Sequence, residues 1–213
     1  MINNITIKKR LALLVITITV LFAIRLEATV GEWTLITDKE GVQVYIADVE
    51  NTDIVKAKSI TKIKATIDQV QLVLNNLARR SEWVPFLKKS QLVEVYSENS
   101  SLEYSLFSAP WPASDRDFLY SMKRLSASTE RHVYEMRSVK NGVVPEINKL
   151  VRGEIIESRY TLTRINNELT QVELIYHADP KGWLPNWIIN IIQKILPYKI
   201  LKNLKSKIEN NRN

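Results

Sequence analysis

Residues 179–190 read Asp-Pro-Lys-Gly-Trp-Leu-Pro-Asn-Trp-Ile-Ile-Asn. Before it, residues 170–177 have the character of a β-strand, and after it residues 185–208 carry apolar side chains at helical spacing. Pro and Gly between two such segments mark a turn. The stretch therefore predicts a strand that turns into a long C-terminal helix. The apolar positions of that helix are Ile188, Ile191, Ile192, Ile195, Leu201, Leu204 and Ile208.

Most of the remaining chain has strand character. Thr66 is a suitable N-cap for one further helix, Ile67 to Arg79, and residues 31–38 are expected to form a short helix or loop. Strands followed by segregated helices, without a repeat or a long linker, predict a single α+β domain. The predicted strands are 42–46, 53–64, 92–96, 101–107, 117–125, 131–139, 150–165 and 170–177.

The N-terminus has the pattern of an export signal. Lys8-Lys9-Arg10 precedes a 14-residue apolar run, Leu11 to Ile24, and Leu26-Glu27-Ala28 resembles a cleavage site. The run is shorter than the roughly 20 residues that span a bilayer. We therefore predict a signal peptide at 1–28, with an uncleaved anchor as the alternative. Residues 29–213 would then be a periplasmic or secreted domain.

The charge distribution narrows the possible partners. The net charge is +7, but residues 181–213 hold seven Lys or Arg against one Glu, and residues 29–180 are slightly acidic. A nucleic-acid-binding body should carry a basic face, so we expect no nucleic acid partner. The basic tail instead suits an anionic membrane surface.

Motifs for catalysis and cofactor binding are missing. The two histidines, His132 and His177, have no second metal ligand at a suitable spacing, and there is no cysteine. The sequence contains no G-x-S-x-G, no P-loop and no G-x-G-x-x-G. Asp115-Arg116-Asp117 is interpreted as a turn with an ion pair. We therefore predict no cofactor and no enzymatic activity.

Several motifs in order along the chain point to a known family. They are Trp33 with 41–45 and Lys56-Ala57, the segment 78–83 with Arg80 and Trp83, Trp111-Pro112 with Arg116-Asp117-Phe118, 144–146 with 151–152, and 179–190. Together they resemble the START (steroidogenic acute regulatory protein-related lipid transfer) family over about residues 33–208. The resemblance implies a helix-grip fold, in which a curved antiparallel sheet wraps a long C-terminal helix around a hydrophobic tunnel. It also implies non-catalytic binding of one lipid, such as a sterol, a phospholipid or a ceramide.

The resemblance also implies where the ligand lies. Glu103, Ser105 and Phe107 share one face of their strand, and Glu103 stands where the family commonly places an acid facing the cavity. Met122 occupies the position where sterol-binding members have an Arg, which argues against a sterol. The predicted ligand contacts are Glu103, Ser105, Phe107, Trp111, Tyr120, Met122, Trp187, Ile188, Ile191 and Ile195.

Two features of the last helix lead to further hypotheses. Pro197 should bend or break the helix, so that its two halves could shift and open the tunnel. Lys199, Lys202 and Lys205 are predicted to dock on a membrane through a salt-sensitive contact.

Two alternatives to a lipid carrier remain open. One is an enzyme of the same fold, such as a cyclase or hydrolase acting on an apolar substrate, with Glu103 and either Tyr104 or Tyr120 as its acid–base pair. The other is a lipid-sensing partner protein.

Overall fold

The computed structural model describes residues 30–140 and 143–210, so the predicted signal peptide at 1–28 lies outside the described residues. The described chain forms one sheet and two helical regions, which confirms the predicted α+β class. The strands are β1 (Thr34–Lys39), β2 (Val42–Val49), β3 (Thr52–Ile63), β4 (Leu87–Ser97), β5 (Ser100–Phe107), β6 (Arg116–Ala127), β7 (Arg131–Ser138), β8 (Val151–Arg152), β9 (Glu154–Asn166) and β10 (Leu169–Asp179). The helices are α1 (Ile67–Asn75), α2 (Asn186–Asn190) and α3 (Leu196–Asn210), with a 3₁₀ turn at Leu77–Glu82 and a π-helical turn at Ile191–Ile195.

The sheet runs in the order β1-β2-β3-β10-β9-β7-β6-β5-β4, and every neighbouring pair is antiparallel. The short β8 pairs with β6 in parallel. One face of the sheet carries the main hydrophobic core, in which Ile200, Leu201 and Leu204 of α3 pack against residues of β2, β3 and β10. Leu102 and Leu119 form a smaller cluster with Tyr104.

Residues 34–39 form an edge strand, so the expected short helix or loop at 31–38 is wrong. The side chains of β1 are exposed or half-buried along its whole length. An edge strand with no buried face has no hydrophobic alternation, which is why the period-two signal is weak there.

Helix α1 begins where the sequence predicts and ends four residues earlier. Thr66 accepts a hydrogen bond from the backbone N–H of Gln69, and the Gln69 side chain accepts from the Thr66 N–H, which completes a capping box. Asn76 then accepts a hydrogen bond from the backbone N–H of Arg79 and starts the 3₁₀ turn. This tighter turn places Arg80 in the interior.

The C-terminal helix is continuous from 186 to 210, as the spacing predicts, but Pro197 does not break it. The irregularity lies one turn earlier, at the π-helical turn, where the N–H of Leu196 donates to the carbonyl of Ile191. Proline cannot donate to the carbonyl four residues before it, and its ring crowds that carbonyl. A widened π turn directly before Pro197 accommodates both effects. Within the described residues, no helix is long and apolar enough to cross a membrane.

Candidate functional site

Two neighbouring chambers lie between the sheet and the C-terminal helix. The inner chamber reaches from the 3₁₀ turn to β5, β6, β7, β9 and β10, and the outer chamber lies under α2, the π turn and the start of α3. Val84, Phe107, Ile155, Tyr176 and Ile200 line both chambers. Their volumes are about 90 and about 120 Å³, several times the roughly 10–15 Å³ that one water needs by the same measure. They are therefore larger than packing defects and can accept an apolar ligand.

The inner chamber is largely aromatic and apolar. Its lining residues are Leu74, Asn75, Arg80, Trp83, Val84, Leu87, Ser105, Phe107, Tyr120, Met122, Tyr134, Met136, Ile155, Ser158, Tyr160, Leu174, Tyr176 and Ile200. Burial raises the pKa of Tyr120 and of Tyr176 to about 12, and it also raises that of Tyr160. These phenols therefore stay neutral and offer hydroxyl groups at physiological pH.

A buried polar network occupies one wall of the inner chamber. Arg80 Nη1 donates to Glu103 Oε2 at 2.7 Å and to the Tyr120 hydroxyl at 3.1 Å. Arg80 Nη2 donates to the Leu74 carbonyl at 3.1 Å, and the Tyr120 hydroxyl donates to Glu103 Oε2 at 3.1 Å. Ser105 completes the network, with its Oγ 3.0 Å from the Tyr120 hydroxyl. Burial lowers the pKa of Arg80, but neighbouring Tyr120 and Glu103 outweigh burial and the net shift is upward.

Glu103 is buried, but it lies behind Arg80 and Tyr120 rather than on the chamber wall. It lines another cavity, which shares Asn75, Met122 and Tyr134 with the inner chamber, whereas Arg80 and Tyr120 line the inner chamber itself. The family resemblance predicts an acid at Glu103 but no arginine partner on β6, because Met122 occupies that position. The structure supplies Arg80 from the 3₁₀ turn instead. Arg80 belongs to the motif at 78–83 that contributes to the family resemblance. This motif is the sequence signal that could have indicated a role for Arg80.

The outer chamber forms the mouth of the ligand site and is lined mainly by apolar residues. Its lining residues are Val84, Phe86, Phe107, Ser108, Ala109, Pro110, Arg116, Phe118, Ile155, Tyr176, Pro180, Leu184, Ile188, Ile191, Ile192, Leu196 and Ile200. Of the predicted contacts, the structure places Phe107, Ile188 and Ile191 here, and Ser105, Phe107, Tyr120 and Met122 in the inner chamber. Their contact with a ligand remains a prediction.

Besides Glu103, three predicted contacts line neither chamber. Trp111 is 89% exposed and Trp187 is 49% exposed, so both side chains lie on the surface beside the mouth. Ile195 is 41% exposed, although α-helical spacing from Ile188 and Ile191 places it on the buried stripe. The π turn adds one residue to that turn of helix, so Leu196 takes the buried position instead.

Arg116 fastens the loop at the mouth to the sheet. Its Nη2 donates to the carbonyls of Trp183, at 3.1 Å, and Lys181, at 3.5 Å, and its Nη1 donates to the Ser114 carbonyl. Burial lowers the pKa of Arg116. Arg116 and Asp117 begin β6, so the turn predicted at Asp115-Arg116-Asp117 is wrong. Both carboxylates do form ion pairs, Asp115 with Lys88 at 2.6 Å and Asp117 with Arg152 at 2.9 Å.

The three lysines predicted to dock on a membrane differ in their surroundings. Lys202 pairs with Glu40 at 2.7 Å, and Lys205 pairs with Glu209 at 2.9 Å. Lys199 is exposed on α3. Most of the basic charge of the helix is therefore offset by carboxylates, which weakens the expected electrostatic contact.

The profile of the START domain matches residues 20–212. The chain belongs to the START domain family. A protein of Pseudomonas aeruginosa without an assigned function is 22% identical to it, covering 88% of this chain and 92% of that one. Bovine phosphatidylcholine transfer protein is 24% identical, covering 84% of each chain. Mouse ceramide transfer protein is 25% identical over 84% of this chain, which matches 32% of its length.

Solved structures confirm the helix-grip fold. The STAR-related lipid transfer protein of Xanthomonas axonopodis superimposes with a TM-score of 0.72 at 28% identity, covering 83% of this chain and 98% of that one. Human STARD10 gives a TM-score of 0.75 at 22% identity, covering 83% of this chain and 72% of that one. The Zhui aromatase/cyclase of Streptomyces shares the fold more distantly, with a TM-score of 0.56 at 11% identity.

Proposed function

We propose that this protein binds one lipid in the two chambers and carries it between membranes outside the cytoplasm. The observation that supports the proposal most is the pair of neighbouring apolar chambers beneath a helix with an irregular turn. Burying roughly 400–500 Å² of lipid surface at about 25 cal/mol per Å² contributes on the order of 10 kcal/mol before the costs of ordering. Relatives named for the transfer of phosphatidylcholine and ceramide support the same function.

The buried polar network fits the transport of a lipid better than it fits catalysis. The notional acid–base pair of Glu103 and Tyr104 is not formed, because Tyr104 lies in a separate cluster, where burial and the neighbouring Asp117 raise its pKa. In the other pair, the Tyr120 hydroxyl is hydrogen-bonded to Glu103. The Tyr120 phenol has a pKa of about 12, which makes it a weak proton donor near neutral pH. Glu103 already accepts bonds from Arg80 and Tyr120, so the pair is satisfied without a substrate.

We further propose that the mouth itself contacts the membrane. Trp111 and Trp183, 89% and 69% exposed, directly adjoin Pro110 and Leu184, which line the outer chamber. Tryptophan favours the membrane interface, where its ring is half-buried and its N–H stays hydrated. A lipid could then pass between the bilayer and the chamber without crossing water.

The carrier proposal is tested by extracting lipid from the purified protein, followed by a transfer assay between donor and acceptor vesicles. Ile155→Trp should fill the passage between the chambers and reduce transfer at least tenfold. Ile165→Trp makes the same change at an exposed position of β9 and serves as the control. A protein that neither contains nor exchanges lipid contradicts the proposal, and one that binds lipid without transferring it favours the sensing alternative.

The docking proposal is tested by vesicle sedimentation. Removing one tryptophan that inserts should cost about 2 kcal/mol, or about 30-fold in affinity. Trp111→Ala and Trp183→Ala should each show this loss, and Tyr96→Ala, an exposed aromatic toward the far end of β4, should not. Equal binding by all four proteins, together with loss at high salt, would favour the lysines of α3.

Cell fractionation with N-terminal sequencing tests export and cleavage.

A further inference from the structure

An ion pair passes over a buried histidine on the outer face of the sheet. Lys56 of β3 and Glu157 of β9 pair at 2.6 Å, although β10 lies between their strands and separates the two backbones by about 10 Å. His177 of β10 is the register partner of Glu157, and it lies level with Lys56 because the adjacent pair is Tyr176 with Ala57. The two charged side chains therefore meet above the imidazole of His177.

His177 is enclosed beneath this ion pair. Its neighbour Tyr176 lines the cavity, so the side chain of His177 points to the opposite face of the sheet. His177 is nevertheless only 6% exposed, and its Nε2 is buried without a hydrogen-bond partner among the described residues. Protonation would turn Nε2 into a donor, and a buried donor needs an acceptor.

The surroundings of His177 oppose its protonation on balance. Burial and the positive charge of Lys56 lower the pKa of His177. They outweigh a hydrogen bond to the backbone of Ile54 and the negative charges of Glu157 and Asp179, which raise it. The neutral imidazole is therefore the form that fits the closed ion pair.

The carboxylate of Glu157 could accept a bond from a protonated His177, but it is already occupied. It pairs with Lys56 on one side and with Arg159, at 3.0 Å, on the other. Lys58, the next outward-facing lysine of β3, lies over two aromatic rings instead. A protonated His177 would therefore compete with Lys56 for Glu157, and the two positive charges would repel each other.

The end of β10 leads directly into the loop at the mouth. A β-bulge follows His177, and Asp179 then binds both the backbone N–H of Lys181, at 2.8 Å, and its side chain, at 2.6 Å. Pro180 and Leu184 of the same loop line the outer chamber. A displacement at His177 would therefore reach the wall of the opening within a few residues.

Resting on the lipid-carrier function proposed above, we propose that His177 and the Lys56–Glu157 ion pair form a pH-sensitive switch at the mouth. When His177 takes up a proton, it displaces Lys56 from Glu157, the end of β10 loosens and lipid exchanges faster. Near neutral pH the imidazole is uncharged, the ion pair is closed and the loop is held in place.

The titration of His177 is tested without lipid, on the purified full chain. The sequence contains two histidines, so proton NMR can follow both rings, and His132→Gln assigns the signals. We expect His177 to titrate below the ordinary histidine value of about 6.5. Lys56→Met removes the repelling charge and should move this midpoint upward. A midpoint that stays the same or falls in folded Lys56→Met contradicts the proposed switch.

Unfolding by urea provides a second measurement without lipid. The unfolded chain accepts the proton that folded His177 resists, so this residue contributes stability above about pH 6.5 that is lost as the pH falls. Acidification to about pH 5.5 should therefore raise the unfolding constant through His177 by up to about tenfold, and His177→Gln should lose this part of the pH dependence. An equal pH dependence in the native protein and His177→Gln overturns the proposal.

The effect on lipid is tested by exchange between phosphatidylcholine vesicles, whose head groups keep their charge over this pH range. If opening exposes His177 to its ordinary pKa, exchange by the native protein should accelerate by up to about tenfold between about pH 7.5 and 5.5. His177→Gln should show no acceleration. His132→Gln, which replaces a buried histidine of β7, should behave like the native protein and serves as the control.

The outcomes separate the switch from the carrier function. Acceleration in folded His177→Gln equal to that of the native protein, or none in the native protein, contradicts the switch. If His177→Gln does not fold, Lys56→Met replaces it, and its exchange should accelerate at a higher pH than that of the native protein. A native protein that exchanges no lipid at either pH contradicts the carrier function, while the two measurements without lipid still decide whether the ion pair opens.

Discussion

Replacing Arg80 with Met keeps an unbranched side chain but removes the guanidinium that neutralises Glu103. The carboxylate would retain only the Tyr120 hydroxyl at 3.1 Å and the Ser101 hydroxyl at 3.4 Å, and the Leu74 carbonyl would lose its donor. Because both partners are more than nine-tenths buried, removing one should lower the free energy of unfolding by about 3–5 kcal/mol.

The second variant isolates the charge from the packing. Arg80→Met with Glu103→Gln removes both charges, so the remaining cost should be about 1–2 kcal/mol, chiefly from the Leu74 carbonyl. The single variant Glu103→Gln completes the cycle, and the sum of the two single losses minus the loss of the double variant gives the coupling energy, which should be at least about 2 kcal/mol. Urea unfolding followed by tryptophan fluorescence measures the native protein and the three variants, provided that the m-values agree.

The neighbouring arginine supplies the control. Arg79 forms an exposed ion pair with Glu82, so Arg79→Met should cost less than about 1 kcal/mol. If Arg80→Met costs no more than Arg79→Met, or if the double variant loses the sum of its single losses, the pair is not a coupled buried unit.

Three further predictions concern the cavity and its helix. Tyr120 and Tyr176 have a pKa of about 12, against about 10 when unfolded, so each should contribute stability that is complete below about pH 10 and falls by about 2–3 kcal/mol between pH 10 and 12. Unfolding measured across that range, with tyrosinate absorbance, checks this; titration near pH 10 in the folded protein would contradict it. Gly153→Ala would place a methyl group 2.3 Å from the Phe118 ring and should lower unfolding stability by about 1–3 kcal/mol, whereas an unchanged melting temperature would show that the ring shifts freely. Pro197→Ala removes the reason for the π turn and should slow lipid exchange between vesicles, and an unchanged rate would refute a role of this turn in opening the cavity.

Much of the fold could be predicted because its signals are local. The Thr66 capping box begins α1 and apolar spacing gives the extent of the last helix, since each depends on residues within a few turns. The exposure of Ile195 could not be read from that spacing, because a regular helix was assumed and the π turn changes the phase.

The polar end of the site could be predicted only in part. Ser105 and Tyr120 lie in the inner chamber, as expected of cavity residues, and Glu103 lies next to it. Its partner is 23 residues away, in a run where Arg79 is exposed and Arg80 is buried. Nothing in the local pattern distinguishes the two adjacent arginines, and only the tertiary position of the 3₁₀ turn, from which Arg80 reaches Glu103 of β5, does so.

The anchor made by Arg116 constrains the backbone of residues 181 and 183 rather than their side chains. Arg116 holds both residues through their carbonyl oxygens, which every amino acid possesses. Lys181 is fixed in addition by ion pairs with Asp179 and Glu154, whereas Trp183 is 69% exposed. The residue at position 183 can therefore vary in sequence while the loop stays fastened to the sheet. Under the docking proposal, a lineage of related proteins would adapt this loop to bilayers of different composition by one substitution there, without rebuilding the opening beside it.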